Sequence, residues 1–471
     1  MSDQPLQQLV ERLRPRVDHL HDPATHLVWN PPGSLDDEGV PGRTLHQVPQ
    51  SAWFALDLAD RGDHERVAAT VDALLALQYD APGTPWHGTF ARYAEAPAPR
   101  AGAVEFDHYD PNWRQFVGIA LRLLLARYPS ALDSVLRTRT EDAIALAAAG
   151  EQASGRLSWW YTNIALQHAW LLVEAGMAAE GEELAERVVE GWRQHGTFQE
   201  FNSPTYDGVD LWALALWRGD SSSERLRAWG AELEAGLWDT VASRYHAGLR
   251  NLAGPYTRAY GLDLDRYVGK VGLLIAGAAG ADAAPLPDLD AEVVAHGHDL
   301  QSLPTLALAP PAVSDDVRSH LRSFLGERSV HEVISTWPTR REASAWLGDD
   351  VMIGAEDGDS DWMGWYQFVA GTVHWRRPDG SIGVLRYVPD GPPRGRAEPG
   401  ALRVSGPGRI EVHDPEPDGV LHTTTRTAAD AGVEVVGEGV TELAGLTVRL
   451  VPDGDGFVLE VSPAGSGQVG S

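Results

Sequence analysis

The residues Phe198 to Asp210, FQEFNSPTYDGVD, bring several reactive side-chain types to the start of an apolar run. Ser203 followed by Pro204 predicts a helix with Ser203 as its N-cap and Pro204 at its first position. The functional groups here are Glu200, Asn202, Tyr206, Asp207 and Asp210. Glu200 and Asn202 then lie in the loop before the helix, and the other three lie on its first two turns.

Three other clusters of polar and aromatic residues also precede apolar runs. Their sequences are EFDHYDPNWR at 105–114, WWYTN at 159–163 and GPYTRAYG at 254–261. Gly254-Pro255 predicts that the last cluster begins a helix, and aromatic rings beside amide, acid or arginine groups suit a saccharide pocket. The candidate residues that these clusters add are His108, Arg114, Trp159, Trp160, Asn163, Tyr256, Arg258 and Tyr260.

One reaction that these side chains fit is β-elimination at a uronic acid. An amide or arginine would stabilise the charge that develops on the substrate carboxylate, a tyrosine or histidine would remove a proton, and a tyrosine would return one to the leaving oxygen. The residues of those types are Asn202 with Tyr206, and Arg258 with Tyr256 or Tyr260; His108 is another candidate for proton transfer.

Glycoside hydrolysis fits as well, because it requires two carboxyl groups that flank the scissile bond. Glu200 could act with Asp207, Asp210, Asp107 or Asp110. Asp207 has a second interpretation, since a carboxylate in a first helical turn is favoured by the helix dipole alone.

The elements that must position these groups alternate in character between about Ser51 and Val268. Runs such as Phe116–Ala126 and Ile164–Val173 are apolar nearly all round, whereas the helix predicted over Ala179–His195 has a single apolar stripe. Helical hairpins of this kind predict inner helices ringed by outer ones, that is, an α/α toroid, as an incomplete or six-hairpin barrel. An irregular helical bundle is the alternative. Gly62 and Gly219, each in an Arg-Gly-Asp string, are predicted helix stops.

The pattern changes after Ala276, where Ala, Pro and Asp dominate, and again near Val330, where alternation predicts strands. Turns at 378–381 and 453–456 predict two β-hairpins. We therefore predict an α+β multidomain protein with a helical domain, a connection, an antiparallel β-sandwich and a flexible tail, at 1–276, 277–329, 330–465 and 466–471.

The composition disfavours several classes of partner and site. The 471 residues have a formal net charge of −29, which disfavours nucleic acid and anionic membranes, and no cysteine for disulfides or thiolate metal sites. No signal peptide or membrane span is apparent, so a cytoplasmic protein is expected. His296-Gly297-His298-Asp299 resembles a metal-ligand pair without a clear third ligand, and neither metal nor cofactor is predicted.

A helical half followed by a β-sandwich resembles the heparinase II/III-like and related α/α-toroid polysaccharide lyases. The helix with Tyr161-Thr162-Asn163 is similar to their Asn-bearing inner helix, although Ile164 stands where they have a histidine. The resemblance implies that Asn202, Tyr206, Arg258 and Tyr260 fill the Asn, Tyr and Arg roles.

The resulting hypothesis is a lyase that acts on a short saccharide containing a uronic acid, with Asn202 and Arg258 holding its carboxylate. Three alternatives stay open: a toroid-type glycoside hydrolase, a terpenoid cyclase or dehydratase, and a glycan-binding protein without catalysis. The sequence does not specify an oligomeric state.

Overall fold

A computed structural model describes residues 5–30, 45–413 and 439–463. The predicted tail at 466–471 and residues 414–438 of the predicted sandwich domain lie outside the described residues. The chain forms two compact units, each built from three stretches. The first unit is Met1–Glu190, Asp210–Glu234 and Ala291–Pro311, and the second is Gly191–Val209, Ala235–Asp290 and Ala312–Ser471.

The described residues contain twelve α-helices, most of them before residue 280. Their bounds are α1 Pro5–Leu20, α2 Val48–Asp60, α3 His64–Leu75, α4 Trp113–Arg127, α5 Ser134–Ser154, α6 Thr162–Glu174, α7 Ala178–His195, α8 Asp207–Asp220, α9 Glu224–Arg244, α10 Lys270–Ala279, α11 Leu303–Leu308 and α12 Asp315–Arg322. Three short 3₁₀ helices lie at Ala281–Ala283, Gly297–Ser302 and Asp361–Gly364.

The predicted alternation of fully and partly buried helices is present in the first unit. Nearly every residue of α2, α4 and α6 is buried, whereas α3 buries only Val67, Thr70, Val71 and Leu74. The buried helices contact one another, α2 with α4 and α4 with α6, and the amphipathic α3 contacts α5. An all-round apolar helix needs neighbours on every side, and α2 accordingly contacts both α3 and α4, while α4 contacts α2, α5 and α6.

Most of the strands follow residue 327 and are antiparallel. The bounds are β1 Val28–Trp29, β2 His46–Gln47, β3 Tyr245–His246, β4 Asn251–Leu252, β5 Arg328–Ser335, β6 Arg341–Leu347, β7 Val351–Gly358, β8 Gly371–Arg376, β9 Ile382–Pro389, β10 Gly395–Glu398, β11 Ala401–Val404, β12 Gly408–His413, β13 Gly439–Leu443, β14 Leu446–Asp453 and β15 Gly456–Pro463. One sheet has six strands in the order β12-β9-β8-β7-β6-β5, and another has five in the order β10-β11-β15-β14-β13.

Both hairpins predicted from turn chemistry are present. In the first, β8 pairs with β9 across the Asp379-Gly380 turn, where Gly380 has a φ of 89°. In the second, β14 pairs with β15 up to Asp453 and Gly456, and Gly454 has a φ of 64°. Both turns use glycine because a side chain disfavours that backbone region. The α+β composition is thus confirmed.

One predicted helix stop is right and the other is wrong. Gly62 follows α2 with a φ of 74°, as a C-terminal glycine should. Gly219 instead lies inside α8, which continues to Asp220. The last turn of α8 is stabilised by contacts with other helices. Arg218 Nε donates to Glu234 Oε2 of α9 at 2.5 Å, and Asp220 pairs with Arg127 of α4.

The stretch predicted as a connection, 277–329, contains α11, α12 and two of the 3₁₀ helices. Its residues 291–311 belong to the first unit and the remainder to the second. The predicted domain boundaries stay a prediction.

Close packing of two glycines in the second unit gives a first stability test. A Cβ built on Gly354 in β7 would lie 1.8 Å from the Gly254 carbonyl oxygen, whereas one on Gly364 would meet nothing within 4 Å. We expect Gly354→Ala to lower the free energy of unfolding by about 1–3 kcal/mol, because backbone must shift. Urea unfolding would measure this, with Gly364→Ala as the matched control; equal stability of the two variants would contradict it.

Candidate functional site

Three chain segments of the second unit run side by side at the candidate site: 199–206, 256–260 and 366–369. Phe201 N–H donates to Thr257 Oγ1 at 2.9 Å, and Thr257 N–H donates to Phe201 O at 3.0 Å. On the other side, Tyr256 and Val369 exchange two backbone hydrogen bonds of 2.9 Å. These pairings satisfy buried backbone groups and fix the spacing of the side chains that the segments carry.

The helix predicted at Gly254-Pro255 is absent: Tyr256 forms an isolated bridge with Val369, and residues 257–260 are irregular. Ala259 N–H donates to Gln367 O at 2.9 Å, in addition to the Tyr256–Val369 pairing. The backbone donors of this segment are therefore used across segments rather than within a helix. Tyr256 and Tyr260 therefore do not lie on a common helix.

The predicted helix start at Ser203 is also shifted, since α8 begins at Asp207. Ser203 Oγ accepts from Tyr206 N–H at 2.9 Å, and Asp207 Oδ1 accepts from Ser203 N–H at 2.8 Å. This reciprocal pair resembles a capping box, but it closes a turn over residues 203–206 ahead of the helix. Tyr206 consequently lies on the turn and not on the helix.

Asn202 holds the backbone that leads into the second segment. Its Nδ2 donates to Ala253 O at 2.8 Å and to Pro255 O at 2.7 Å, and its backbone has a φ of 48°. Asparagine is among the few residues that adopt this left-handed conformation readily. Because the Asn202 side-chain amide donates both of these hydrogen bonds within the protein, Asn202 is suited to positioning this backbone.

Arg258 is the centre of the site's hydrogen-bond network. Its Nη1 donates to Glu200 Oε1 at 2.8 Å, its Nη2 to Tyr206 Oη at 2.7 Å and its Nε to Gln367 Oε1 at 2.6 Å. The Glu200 side chain is 0% exposed and that of Arg258 is 5% exposed. Gln367 was not predicted, and its only sequence signal is that it follows the aromatic run Trp365-Tyr366.

Two phenols at the edge of this network form the tyrosine pair, Tyr206 and Tyr260. Their hydroxyl oxygens lie 2.8 Å apart, and both residues are half-buried. The Arg258 guanidinium lies 3.8 Å from the centre of the Tyr206 ring and donates to its oxygen. A cation in this position stabilises negative charge on Tyr206 Oη, and the short hydrogen bond connects that oxygen to a second proton donor.

An aromatic surface adjoins the guanidinium. Trp362 is buried, whereas Trp365 and Tyr366 are 39% and 46% exposed. The Trp362 and Trp365 ring centres are 5.2 Å apart, and the Arg258 guanidinium carbon is 4.9 Å from the Trp365 ring centre. Exposed flat rings beside hydrogen-bonding groups are what the apolar face of a sugar requires.

Asp207 is a buried acid close to Glu200 of this network. Burial raises its pKa well above the usual value, and the nearby Glu200 charge acts in the same direction. Its Oδ2 has no hydrogen-bond partner among the residues that the structure describes. A protonated, neutral carboxyl group fits this environment.

This environment predicts a pH dependence of stability. The pKa of Asp207 is higher in the folded than in the unfolded state, so its contribution is fully present below the unfolded pKa, near 3.8, and is lost as pH rises through the folded value. Relative to Asp207→Asn, the wild type should therefore lose free energy of unfolding as pH increases. Urea unfolding across a pH series measures this difference, with the exposed Asp349→Asn as control. Parallel profiles for wild type and Asp207→Asn would show that Asp207 is ionised.

The predicted Tyr256 and Arg114 have their polar groups engaged within the protein. Tyr256 Oη donates to Leu252 O, and burial raises the pKa of this phenol. In the first unit, the fully buried Arg114 pairs with Glu151 at 2.8 Å and donates to two backbone carbonyl groups. Both side chains thus support local structure.

The remaining predicted residues belong to the first unit. His108 is exposed, and its Nδ1 accepts from Val104 N–H at 3.1 Å. Asn163 and Asp210 are buried on α6 and α8, while Trp159 and Trp160 are partly exposed ahead of α6. The structure thus brings together Glu200, Asn202, Tyr206, Asp207, Arg258 and Tyr260 in one unit.

Comparison with known proteins gives a family but no established activity. The family described as "Domain of unknown function (DUF8769)" matches residues 25–311, which is more than half of the chain and includes most of the candidate site. The chain belongs to this family. No curated protein matches it.

Among solved structures, this DUF8769 member is similar to the chondroitin AC lyase of Streptomyces coelicolor A3, determined in complex with chondroitin sulphate. The two are 11% identical, and the alignment covers 97% of this chain and 76% of the lyase. The TM-score is 0.35, below the range that indicates a common fold. Separately, none of the helices in the described residues is long and apolar enough to cross a membrane.

Proposed function

We propose that this protein is a carbohydrate-active lyase that cleaves a short saccharide containing a uronic acid by β-elimination. The observation that carries the proposal is the tyrosine pair, with its 2.8 Å hydrogen bond and the Arg258 donor 2.7 Å from Tyr206 Oη. Elimination needs one group to accept a proton and another to donate one, and two hydrogen-bonded phenols beside a cation meet both needs.

In the proposed reaction, the phenolate form of Tyr206 removes the proton from the carbon next to the uronate carboxylate. The double bond forms as the bond to the leaving oxygen breaks, and Tyr260 gives its proton to that oxygen. Transfer of the proton from Tyr206 to Tyr260 across their hydrogen bond restores the pair. Arg258 stabilises the Tyr206 phenolate before it takes up the proton and again once the pair is restored.

The other groups of the site have supporting roles in this proposal. Glu200 orients the guanidinium, because its carboxylate is wholly buried and paired with Arg258. That burial argues against hydrolysis, in which a carboxyl group must reach the glycosidic bond. Trp365 and Tyr366 offer exposed rings on which a sugar can stack.

We also propose that the helices form an α/α toroid. The contacts of α2 with α4 and of α4 with α6 support it, since inner helices of a ring are neighbours. The contact between α3 and α5 supports an outer layer in the same way.

A product assay tests the proposed function. The purified chain would be incubated with oligosaccharides that contain uronic acids and with matched neutral ones. Elimination creates a conjugated unsaturated uronate, so we expect its ultraviolet absorption only with the acidic substrates. New reducing ends without that absorption would replace the proposal with hydrolysis. Saturable binding without turnover would replace it with glycan binding, and cyclisation of a terpenoid in a parallel panel would indicate the cyclase alternative.

A further inference from the structure

Three potential metal ligands converge in the first unit, away in sequence from the tyrosine pair. His296, His298 and Asp299 each offer one ligand atom, and these atoms all lie within 4.8 Å of one another. Among the described residues, no other three histidine, aspartate or glutamate side chains bring their ligand atoms this close together. Asp299, already part of the sequence pattern but not counted there as a third ligand, is turned back toward His296 by the 3₁₀ helix Gly297–Ser302.

The local geometry favours convergence of the three side chains. Each residue is more than nine-tenths buried. His296 Nδ1 lies 2.9 Å from Asp299 Oδ2, and the rings of His296 and His298 are 4.2 Å apart between centres. His296 has a φ of 56°, a left-handed conformation in which histidine is enriched among the residues other than glycine.

We propose that these three residues bind one divalent transition-metal ion, with Zn²⁺ the best match. Imidazole nitrogen selects zinc and its neighbours over Mg²⁺ and Ca²⁺, which prefer all-oxygen sites. Zinc bonds of about 2.0–2.2 Å to nitrogen and oxygen place the ligand atoms of a tetrahedral site about 3.3–3.6 Å apart. The ligand atoms now lie within 4.8 Å of one another and the His296–Asp299 pair is at 2.9 Å, so only small side-chain shifts would be needed on binding.

Binding at this position would add a local constraint to the segment 291–311. Residues 291–311 belong to the first unit although the residues on both sides of them belong to the second. Arg16 of α1 holds the start of the segment through Ala291 O at 2.7 Å and Glu292 O at 3.0 Å. The metal would fix the segment a few residues further on, and water would complete its coordination.

The test uses the full chain, first freed of metal with a chelator. After incubation with Zn²⁺ and gel filtration, elemental analysis should find one ion per chain. Titration with Co²⁺ should give the intense visible bands of a tetrahedral site, without sulfur bands because the chain has no cysteine. Zn²⁺, but not Ca²⁺, should raise the thermal midpoint.

Variants assign the ion to the site. His298→Ala with Asp299→Ala should weaken zinc binding by at least about 100-fold, and Asp299→Asn, which keeps the size of the side chain, by at least about 10-fold. The matched control is His331→Ala with Glu342→Ala, which removes a histidine–carboxylate contact of 2.9 Å in the second unit. Absence of stoichiometric Zn²⁺ in the wild type, or wild-type affinity in Asp299→Asn, would overturn the proposal and leave a hydrogen-bonded His296–Asp299 pair. If the double variant fails to fold, Asp299→Asn and the Co²⁺ spectrum still decide the question.

Discussion

Replacing Arg258 by methionine is expected to lower the free energy of unfolding by about 3–5 kcal/mol, because it leaves a charge buried without its partner. The Glu200 side chain is 0% exposed, and its Oε1 lies 2.8 Å from Arg258 Nη1. Methionine retains much of the volume of arginine but none of its donors. Urea unfolding at neutral pH would measure the loss as a lower midpoint.

Two comparisons separate this effect from a general loss of packing. Replacing Glu200 by methionine in the same chain removes both charges and should recover most of the lost stability. Arg449→Met removes an ion pair whose side chains are 60% and 50% exposed, and should cost less than about 1 kcal/mol. If Arg258→Met costs no more than Arg449→Met, the buried charge pair does not contribute as described.

Tyr206→Phe should reduce turnover of an acidic saccharide by about 10²–10⁴-fold, the usual contribution of a positioned acid or base. The substitution removes the hydroxyl that accepts from Arg258 and hydrogen-bonds Tyr260, while the ring keeps its contact with the guanidinium. Initial rates of formation of the unsaturated product would be compared at saturating substrate. Tyr260→Phe should give a loss of similar size, because the proposed reaction needs both phenols.

The matched control is Tyr256→Phe, which removes a phenol in the same segment. That hydroxyl donates to the buried Leu252 carbonyl, so its removal should cost about 1 kcal/mol of stability and leave the turnover of folded protein intact. Retention of full activity in both Tyr206→Phe and Tyr260→Phe would remove the tyrosine pair from the mechanism, even if the protein proves to be a lyase.

Local patterns in the sequence were sufficient for several elements. The all-round apolar runs predicted the buried helices α4 and α6 because helical burial depends on residues within the run itself. The hairpin β8–β9 followed from a turn sequence in which glycine supplies the required left-handed backbone. In each case the information lies within about twenty residues of the element it determines.

The candidate site was only partly predictable, because its backbone partners are distant in sequence. The segment 256–260 pairs with Gln367 and Val369, more than a hundred residues away, and no local pattern indicates that pairing. A Gly-Pro pair is compatible with a helix start and with an irregular segment. The residue types at Tyr206, Arg258 and Tyr260 suggested their chemistry, but their spacing depended on this long-range pairing.

Asn202 and Gln367 illustrate two further limits. The sequence does not distinguish an asparagine whose amide binds a ligand from one that only adopts a left-handed backbone conformation. In the structure, the Asn202 amide donates to two carbonyl groups of the neighbouring chain segment. Gln367 contributes through one hydrogen bond to Arg258 and another to Tyr366. A single amide in a loop has no spacing signal that could identify such a link.

The interleaving of the two units has a consequence for how this protein evolved and how it can be dissected. The chain changes unit after residues 190, 209, 234, 290 and 311, so no single cut separates the two. A gene fusion or deletion at one junction could not have added or removed either unit as a module. The region shared with the family, 25–311, includes the segment 256–260 but not its backbone partners Gln367 and Val369. Inheritance of this site therefore requires residues 367–369 to be kept together with the region 25–311, and limited proteolysis should not release the shared region as an autonomous fragment.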